Sequence, residues 1–376
     1  MEAVIEKTDL RNLDKSGWKT FRFEEIAKKV SEPVDPNTTK LEIYVGLEHI
    51  DAGDIHIKRY GTPDDVSGGK LKCYPGDVIF GKRRAYQRKA AIADFEGICS
   101  AHAFVLRANP DVIDPKLFPF FLHSDKFMHC AVDISVGGLS PTINWGDLKG
   151  QKFLLPPKGQ QAQLAELLWA MDEVIERELE VFKRINATSQ IFFENEVENI
   201  KGKLLPLSKV LIPKNGKSQL PHKRDKYIGL EHIESGNYKC DSYSETSEVL
   251  AQCNIINPGD LCYSKLRPYL DKAFIADFEA ISTTELLIYD TQKVSKEYVL
   301  FHLHSRPFLH YVTGKGFGTK MPRVSHTIIG EYEIKIPDNE SEILNQMSSF
   351  QINVKLIKSK IASSKALQKS LINQIF

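Results

Sequence analysis

Apolar residues recur along this chain in two rhythms. Short apolar or alternating runs, closed by Gly, Pro and Asp, predict strands over residues 41–47, 77–81, 90–95 and 103–107. A helix is expected over residues 115–131, opened by Asp114 with Pro115 near its start. A last strand over 151–155 ends at Pro156-Pro157. The order then returns: strands over 227–233, 260–265, 273–278 and 285–289, a helix near 295–312, and a strand over 331–336 before Pro337. After each set the rhythm changes. Leu164, Leu168, Met171, Ile175, Leu179, Phe182 and Ile185 fall three and four apart, and so do Ile343, Met347, Phe350, Val354, Ile357 and Ile361. Neither segment contains Gly or Pro, so each predicts a long amphipathic helix that pairs along its apolar seam.

The repeated order reflects a duplication. Tyr44-Val45-Gly46-Leu47-Glu48-His49-Ile50 returns as Tyr227-Ile228-Gly229-Leu230-Glu231-His232-Ile233. Over residues 75–96 and 258–279, 13 of 22 positions are identical at one constant offset. Phe120-Phe121-Leu122-His123-Ser124 matches Phe301-His302-Leu303-His304-Ser305 with the offset reduced by two. The fold class expected is α+β, with two tandem domains joined and separated by two long helices packed as an antiparallel coiled coil, in pseudo-two-fold arrangement. The boundaries read as an N-terminal arm (1–18), a first domain (19–158), a central long helix (159–201), a second domain (202–337) and a C-terminal long helix (338–376). Helices of ~35 residues would run ~50 Å, against ~34–36 Å for one turn of B-DNA. Such a rod could measure a split recognition site.

With 376 residues, 42% hydrophobic and 26% charged, the chain suits two soluble domains. No apolar run approaches the ~20 residues that span a membrane, and residues 1–19 have no apolar stretch, so a secretory signal is not expected. Cys73, Cys99, Cys130, Cys240, Cys253 and Cys262 form no C-x-x-C pair, which argues for reduced cytoplasmic thiols and against a zinc site, and no metal is expected on this chain. A net charge of +1 hides an uneven distribution. Lys70, Lys72, Lys82, Arg83, Arg84, Arg88 and Lys89 face one acid, Asp77; Lys214, Lys217, Lys223, Arg224 and Lys226 face Asp225. The first long helix is acidic. The second carries Lys355, Lys358, Lys360, Lys365 and Lys369.

The order Pro-Gly-Asp, then Lys265-Leu266-Arg267-Pro268-Tyr269, then Ala276-Asp277-Phe278-Glu279 resembles the target-recognition domain of type I restriction-modification specificity subunits. The Lys82-Arg83-Arg84-Ala85-Tyr86 copy is similar, with Ala85 where the second has Pro268. Pro156-Pro157 followed by Gln160-Gln161 and a long helix resembles that family's central region, although Lys158-Gly159 departs from its usual acidic ending. The resemblance implies a non-catalytic DNA-specificity subunit, with one domain for each half of a bipartite double-stranded site. It also implies helices that set the gap and dock two methyltransferase subunits, with nuclease-translocase subunits joining that core. S-adenosylmethionine, ATP and Mg2+ would then sit on those partners, and no cofactor on this chain.

Lys82, Arg84, Tyr86 and Lys89 recur as Lys265, Arg267, Tyr269 and Lys272, and phosphate contact is the natural shared task. A structural loop is the competing reading. Base readers are expected where equivalent loops differ. Gly314–Arg323 carries Lys315, Lys320 and Arg323, whereas its counterpart, 133–142, keeps Gly137 and Pro141 but has no such cations. Lys214, Lys217, Lys223, Arg224, Arg83 and Arg88 are further DNA-binding candidates. Glu48-His49 and Glu231-His232 are read as structural, as neighbours on opposite faces of a strand. Two rival readings are a metal-dependent tandem nuclease using Glu333 and Lys335, and a protein-binding scaffold.

Overall fold

The computed structural model describes residues 14–247, 249–318 and 320–376. Most of the expected N-terminal arm lies outside the described residues. The chain divides into two compact units. One holds the described residues up to Glu180 together with Ser359–Phe376, and the other is Val181–Lys358. Each is mixed α/β and carries part of both long helices, Lys158–Asn199 and Ser341–Ile375.

In the first unit Lys19–Arg22 pairs antiparallel with Lys152–Leu155. A four-stranded sheet runs in the order Ala27–Val30, Ala103–Ala108, Val78–Gly81, Ala90–Ile92. A second is ordered Pro33–Val34, Lys70–Cys73, Gly97–Cys99, Tyr44–Val45, with the last pair parallel. The second unit repeats this plan. Gly202–Pro206 pairs with Glu333–Pro337. One sheet is ordered Leu211–Pro213, Leu286–Thr291, Leu261–Ser264, Ala273–Ile275. The other is ordered Lys217–Ser218, Cys253–Ile256, Ala280–Ser282, Lys226–Ile228, Ser244–Glu245.

The two expected strands at 41–47 and 227–233 are corrected. Only Tyr44–Val45 and Lys226–Ile228 are extended, and Leu47–His49 and Leu230–His232 form tight 3-10 turns. The cause is local: the His49 and His232 Nδ1 atoms accept from the Gly46 and Gly229 N–H groups at 3.1 and 2.9 Å. These histidines therefore hold turns; they do not alternate across a strand. The single helix expected over 115–131 is two, Phe118–His123 and Asp125–Asp133. Ser124 breaks it, adopting an extended conformation while its hydroxyl caps the Phe127 N–H at 3.2 Å. Ser305 does the same between Lys296–Leu303 and Arg306–Lys315.

Each core takes in both long helices. Phe23, Phe121, Phe127 and Phe153 pack with Leu164 and Leu168 of the first helix and Leu371, Ile372 and Ile375 of the second. In the second unit Phe193 joins Tyr298 and Phe301, beside Ile343 and Met347. All thirteen seam positions are buried or half-buried: Leu164, Leu168, Met171, Ile175, Leu179, Phe182 and Ile185 on one helix, Ile343, Met347, Phe350, Val354, Ile357 and Ile361 on the other. Further contacts flank the seam. In the first unit Ser364 donates to Glu178 at 3.2 Å and Gln368 to Asp172 at 3.4 Å; in the second, Phe192 meets Phe350 at 5.7 Å between ring centroids. The buried carboxylates Asp172 and Glu178 were invisible to a purely apolar reading of the stripe.

Candidate nucleic-acid interface

In each unit two loops that are far apart in sequence close against each other. The hairpin between Val78–Gly81 and Ala90–Ile92 holds a 3-10 turn, Ala85–Gln87, bracketed by Arg84 and Arg88 in the left-handed region, φ 58° and 53°. Its counterpart, Pro268–Leu270, is bracketed by Arg267 and Asp271, both at φ 50°. Non-glycine residues avoid this region, so a strained bracket at the same place in both units marks these hairpins as candidate contact sites. The Arg84 N–H donates to the Pro141 carbonyl and the Arg267 N–H to the Pro322 carbonyl, both at 2.7 Å. The glycine-bearing loops are themselves pinned, Val136 to Thr142 and Phe317 to Arg323. Gly137 and Gly318 supply the positive φ these turns need, 118° and 96°. The structure thus joins the cationic hairpin and the glycine-rich loop into one tip per unit.

The tips present Arg84 and Tyr86 with Val136 and Leu139 in the first unit, and Arg267 and Tyr269 with Phe317, Lys320 and Met321 in the second; all are exposed. Exposed apolar side chains at these tips are a feature that a search for cations missed. Their signal in the sequence is an apolar residue set beside glycine, as in Gly138-Leu139 and Phe317-Gly318.

The candidate cations separate by what they already touch. Lys89 and Lys272 each donate to a backbone carbonyl, Leu47 and Leu230, at 2.6 Å. Arg88 is taken by Asp125 at 2.6 Å and the His123 carbonyl at 2.9 Å. Arg224 is tied to the Ile256 and Ala280 carbonyls and Asn257, Lys214 to Asp260, and Lys217 to Asn254. Arg323 pairs with Glu285 at 3.1 Å. Each of these holds the fold together. Among the described residues no ion pair engages Lys82, Arg83, Arg84, Lys223, Lys265, Arg267, Lys315 or Lys320. Lys82 lies over the Phe104 ring at 5.2 Å, and burial together with the nearby Lys29 ammonium holds it below the ordinary lysine value. Lys315 lies 6.0 Å over Tyr311. Among the described residues the Arg84 guanidinium bonds the Ser140 hydroxyl, at 3.1 and 3.2 Å.

The repeated Pro-Gly-Asp is a structural turn. Asp77 and Asp260 are 1% exposed and accept from the backbone N–H three residues earlier, at 3.0 and 2.8 Å. Asp77 takes a two-pronged bond from Arg107 at 2.7 and 3.0 Å, and this pairing raises the Arg107 guanidinium above its usual value. The six cysteines are free, and burial pushes the Cys73 thiol up to about 12.

Two groupings of acid and base side chains are engaged in internal contacts. Glu333 and Lys335 lie on a strand paired with Gly202–Pro206, and the Lys335 ammonium is spent on the Glu198 carbonyl. Among the described residues one carboxylate-histidine cluster is close enough for a metal: Asp54, His56 and Glu176. Its charge is met already, because the Lys58 ammonium lies 2.8 Å from Asp54 and 2.6 Å from Glu176, while His56 bonds Asp172 at 2.6 Å. No described helix is long and apolar enough to cross a membrane.

Comparison with known proteins finds similarity over part of the chain. Residues 15–187 match the sequence model described as the type I restriction modification DNA specificity domain. The specificity subunit of the type I restriction enzyme EcoDI from Escherichia coli is 29% identical over 185 residues, 46% of this chain and 40% of that protein. A putative type I restriction enzyme MjaX specificity subunit from Methanocaldococcus jannaschii is 23% identical over 186 residues, 46% of this chain and 44% of its own length. The chain thus matches less than half the length of these curated relatives. A chain from a study of assembly and conformational transition of the type I R-M system shares the fold at a TM-score of 0.54, with 18% identity, covering 96% of this chain and 97% of its own. The type I restriction-modification S subunit from M. genitalium does so at 0.52, with 14% identity, 97% and 98% covered.

Proposed function

We propose, from a chain whose residues 15–187 match the type I restriction modification DNA specificity domain, that it is a non-catalytic DNA-specificity subunit reading a bipartite duplex site. The observation that carries this is the paired tip. Lys82, Arg84 and Tyr86 recur as Lys265, Arg267 and Tyr269 on the same strained hairpin, backed by the same proline carbonyl. Two like tips on one chain suit a ligand with two like parts. The uncommitted cations, Lys82, Arg83, Arg84, Lys223, Lys265, Arg267, Lys315 and Lys320, take phosphate and guanine edges, with Tyr86 and Tyr269 beside them.

The two target-recognition domains are tandem copies, and the long helices form an antiparallel coiled coil that sets the gap between half-sites. The contacts flanking the seam in each unit support that pairing. Ile352 and Leu356, 60% and 62% exposed and one helical turn apart, offer an apolar edge for two methyltransferase subunits, which nuclease-translocase subunits would join. S-adenosylmethionine, ATP and Mg2+ belong to those partners. Selection from a random duplex pool, with the methyltransferase that co-purifies from the host, tests the proposal. Two short sequence blocks separated by unread bases are expected, and deleting one heptad from both helices should shorten only the gap. Enrichment of no sequence by an intact complex would overturn it.

A further inference from the structure

Under the tip of the second unit lies a cleft of about 210 Å³. Its frame is Leu230 and Glu231 from the 3-10 turn, Arg267 at the rim, and Lys272, whose ammonium is fixed on the Leu230 carbonyl at 2.6 Å. Its remaining walls are Leu266, Leu270 and Met321. The duplication supplies an internal control. All four frame residues recur in the first unit as Leu47, Glu48, Arg84 and Lys89, and Lys89 makes the same 2.6 Å bond to the Leu47 carbonyl. All three remaining wall positions change character, to Arg83, Gln87 and Ser140. One frame is thus built twice, apolar in one copy and polar in the other. A difference confined to the walls of a shared frame is what two readers of unlike half-sites require.

The change reaches the rim as well. In the first unit the Ser140 hydroxyl accepts from the Arg84 guanidinium. Met321 offers Arg267 no such acceptor, so Arg267 stays free to hold a phosphate at the mouth of the cleft. An apolar hollow beside a phosphate-directed arginine fits one feature of the major groove, the C5-methyl group of a pyrimidine, the sole apolar group presented there.

We propose that Leu266, Leu270 and Met321 form a specificity pocket for the C5-methyl group of one pyrimidine, thymine or 5-methylcytosine, in the half-site bound by the second unit, and that the first unit has no such pocket. This rests on the DNA-reading function proposed above.

The test uses the complex with its co-purified methyltransferase and the bipartite site obtained by selection. The half-site of the second unit is assigned by disulfide trapping of a Lys320→Cys variant on thiol-modified duplex. Each thymine of that half-site is then replaced by uracil, and in a second arm each cytosine by 5-methylcytosine. Removing one buried methyl should weaken binding about fourfold at a single thymine. A comparable gain at a single cytosine would identify 5-methylcytosine as the source. Either effect should vanish in the Leu270→Gln/Met321→Ser double variant, which carries the first unit's residues. Retained preference of that variant for the remaining bases of the second half-site shows that the second unit has folded. Indifference to every methyl in the assigned half-site, or an effect that survives the double variant, would overturn the pocket while leaving the two-reader function standing. Failure to select any bipartite site would instead remove the function on which the pocket rests.

Discussion

The division between committed and uncommitted cations makes a quantitative claim about salt. Lys265 and Arg267 lie on the second unit's hairpin without an ion-pair partner among the described residues, whereas Lys272, a few residues on, is bonded to the Leu230 carbonyl. Replacing Lys265 and Arg267 by Gln preserves side-chain length and removes two charges. If each neutralises one phosphate, the slope of log K against log salt should flatten by about 1.8, since each contact contributes about 0.9. Raising salt from about 50 to about 200 mM would then weaken the double variant about twelvefold less than the parent. The assay is fluorescence anisotropy of a labelled duplex titrated with the methyltransferase complex at several salt concentrations. Lys272→Gln is the control. It loses an internal hydrogen bond costing about 1 kcal/mol of stability, and its salt slope should match the parent. An unchanged slope in the double variant, or an equal flattening in Lys272→Gln, would refute the assignment of roles.

Two titrating histidines give predictions on stability. His302 is buried, its Nε2 finds no partner among the described residues, and burial pushes it down to about 3. Below about pH 6.5 the unfolded chain takes a proton that the fold refuses, so stability should fall with falling pH by up to about 1.4 kcal/mol per unit. Denaturant titrations of His302→Leu between pH 6.5 and 4 should show a shallower fall than the parent, and parallel curves would contradict this. His56 behaves oppositely. Its bond to Asp172 raises it above the ordinary value, against the pull of burial. Its contribution is complete below about pH 6.5 and fades as pH rises through the folded value. The gap in melting temperature between parent and His56→Gln should therefore be wider at pH 6 than at pH 9, and a gap that grew with pH would sink the argument.

Elements with a strong period were legible in the sequence: the helix seams, the core strands 78–81 and 103–108, and their copies. The repeat itself carried much of the rest, because it turned weak motifs into paired ones. What escaped was set by contacts between distant residues. Strands of two residues, such as Pro33–Val34 and Lys217–Ser218, have no period to detect. The tip forms because Arg84 meets Pro141 and Arg267 meets Pro322, far apart in sequence. The basic runs looked uniform, yet Arg88 and Arg224 are internal struts while Arg84 and Arg267 are open. Ser124 and Ser305 could have been read as helix caps, but the unbroken apolar pattern around them pointed the other way.

The buried aspartates set a rule for shuffling the two copies. Asp77 is neutralised by Arg107, from a strand that follows it in its own unit, while Asp260 is neutralised by Lys214, from a segment that precedes it. Each copy has its cation where the other has none, for Arg107 corresponds to Asp290 and, by strand register, Lys214 to Val30. A crossover inside the domain that joined the front of the first copy to the back of the second would leave Asp77 with no cation and place a carboxylate where its guanidinium belongs. The reciprocal hybrid would crowd a lysine and an arginine around one aspartate. Hybrids stay foldable when the breakpoint falls outside the domains, so each domain is inherited whole.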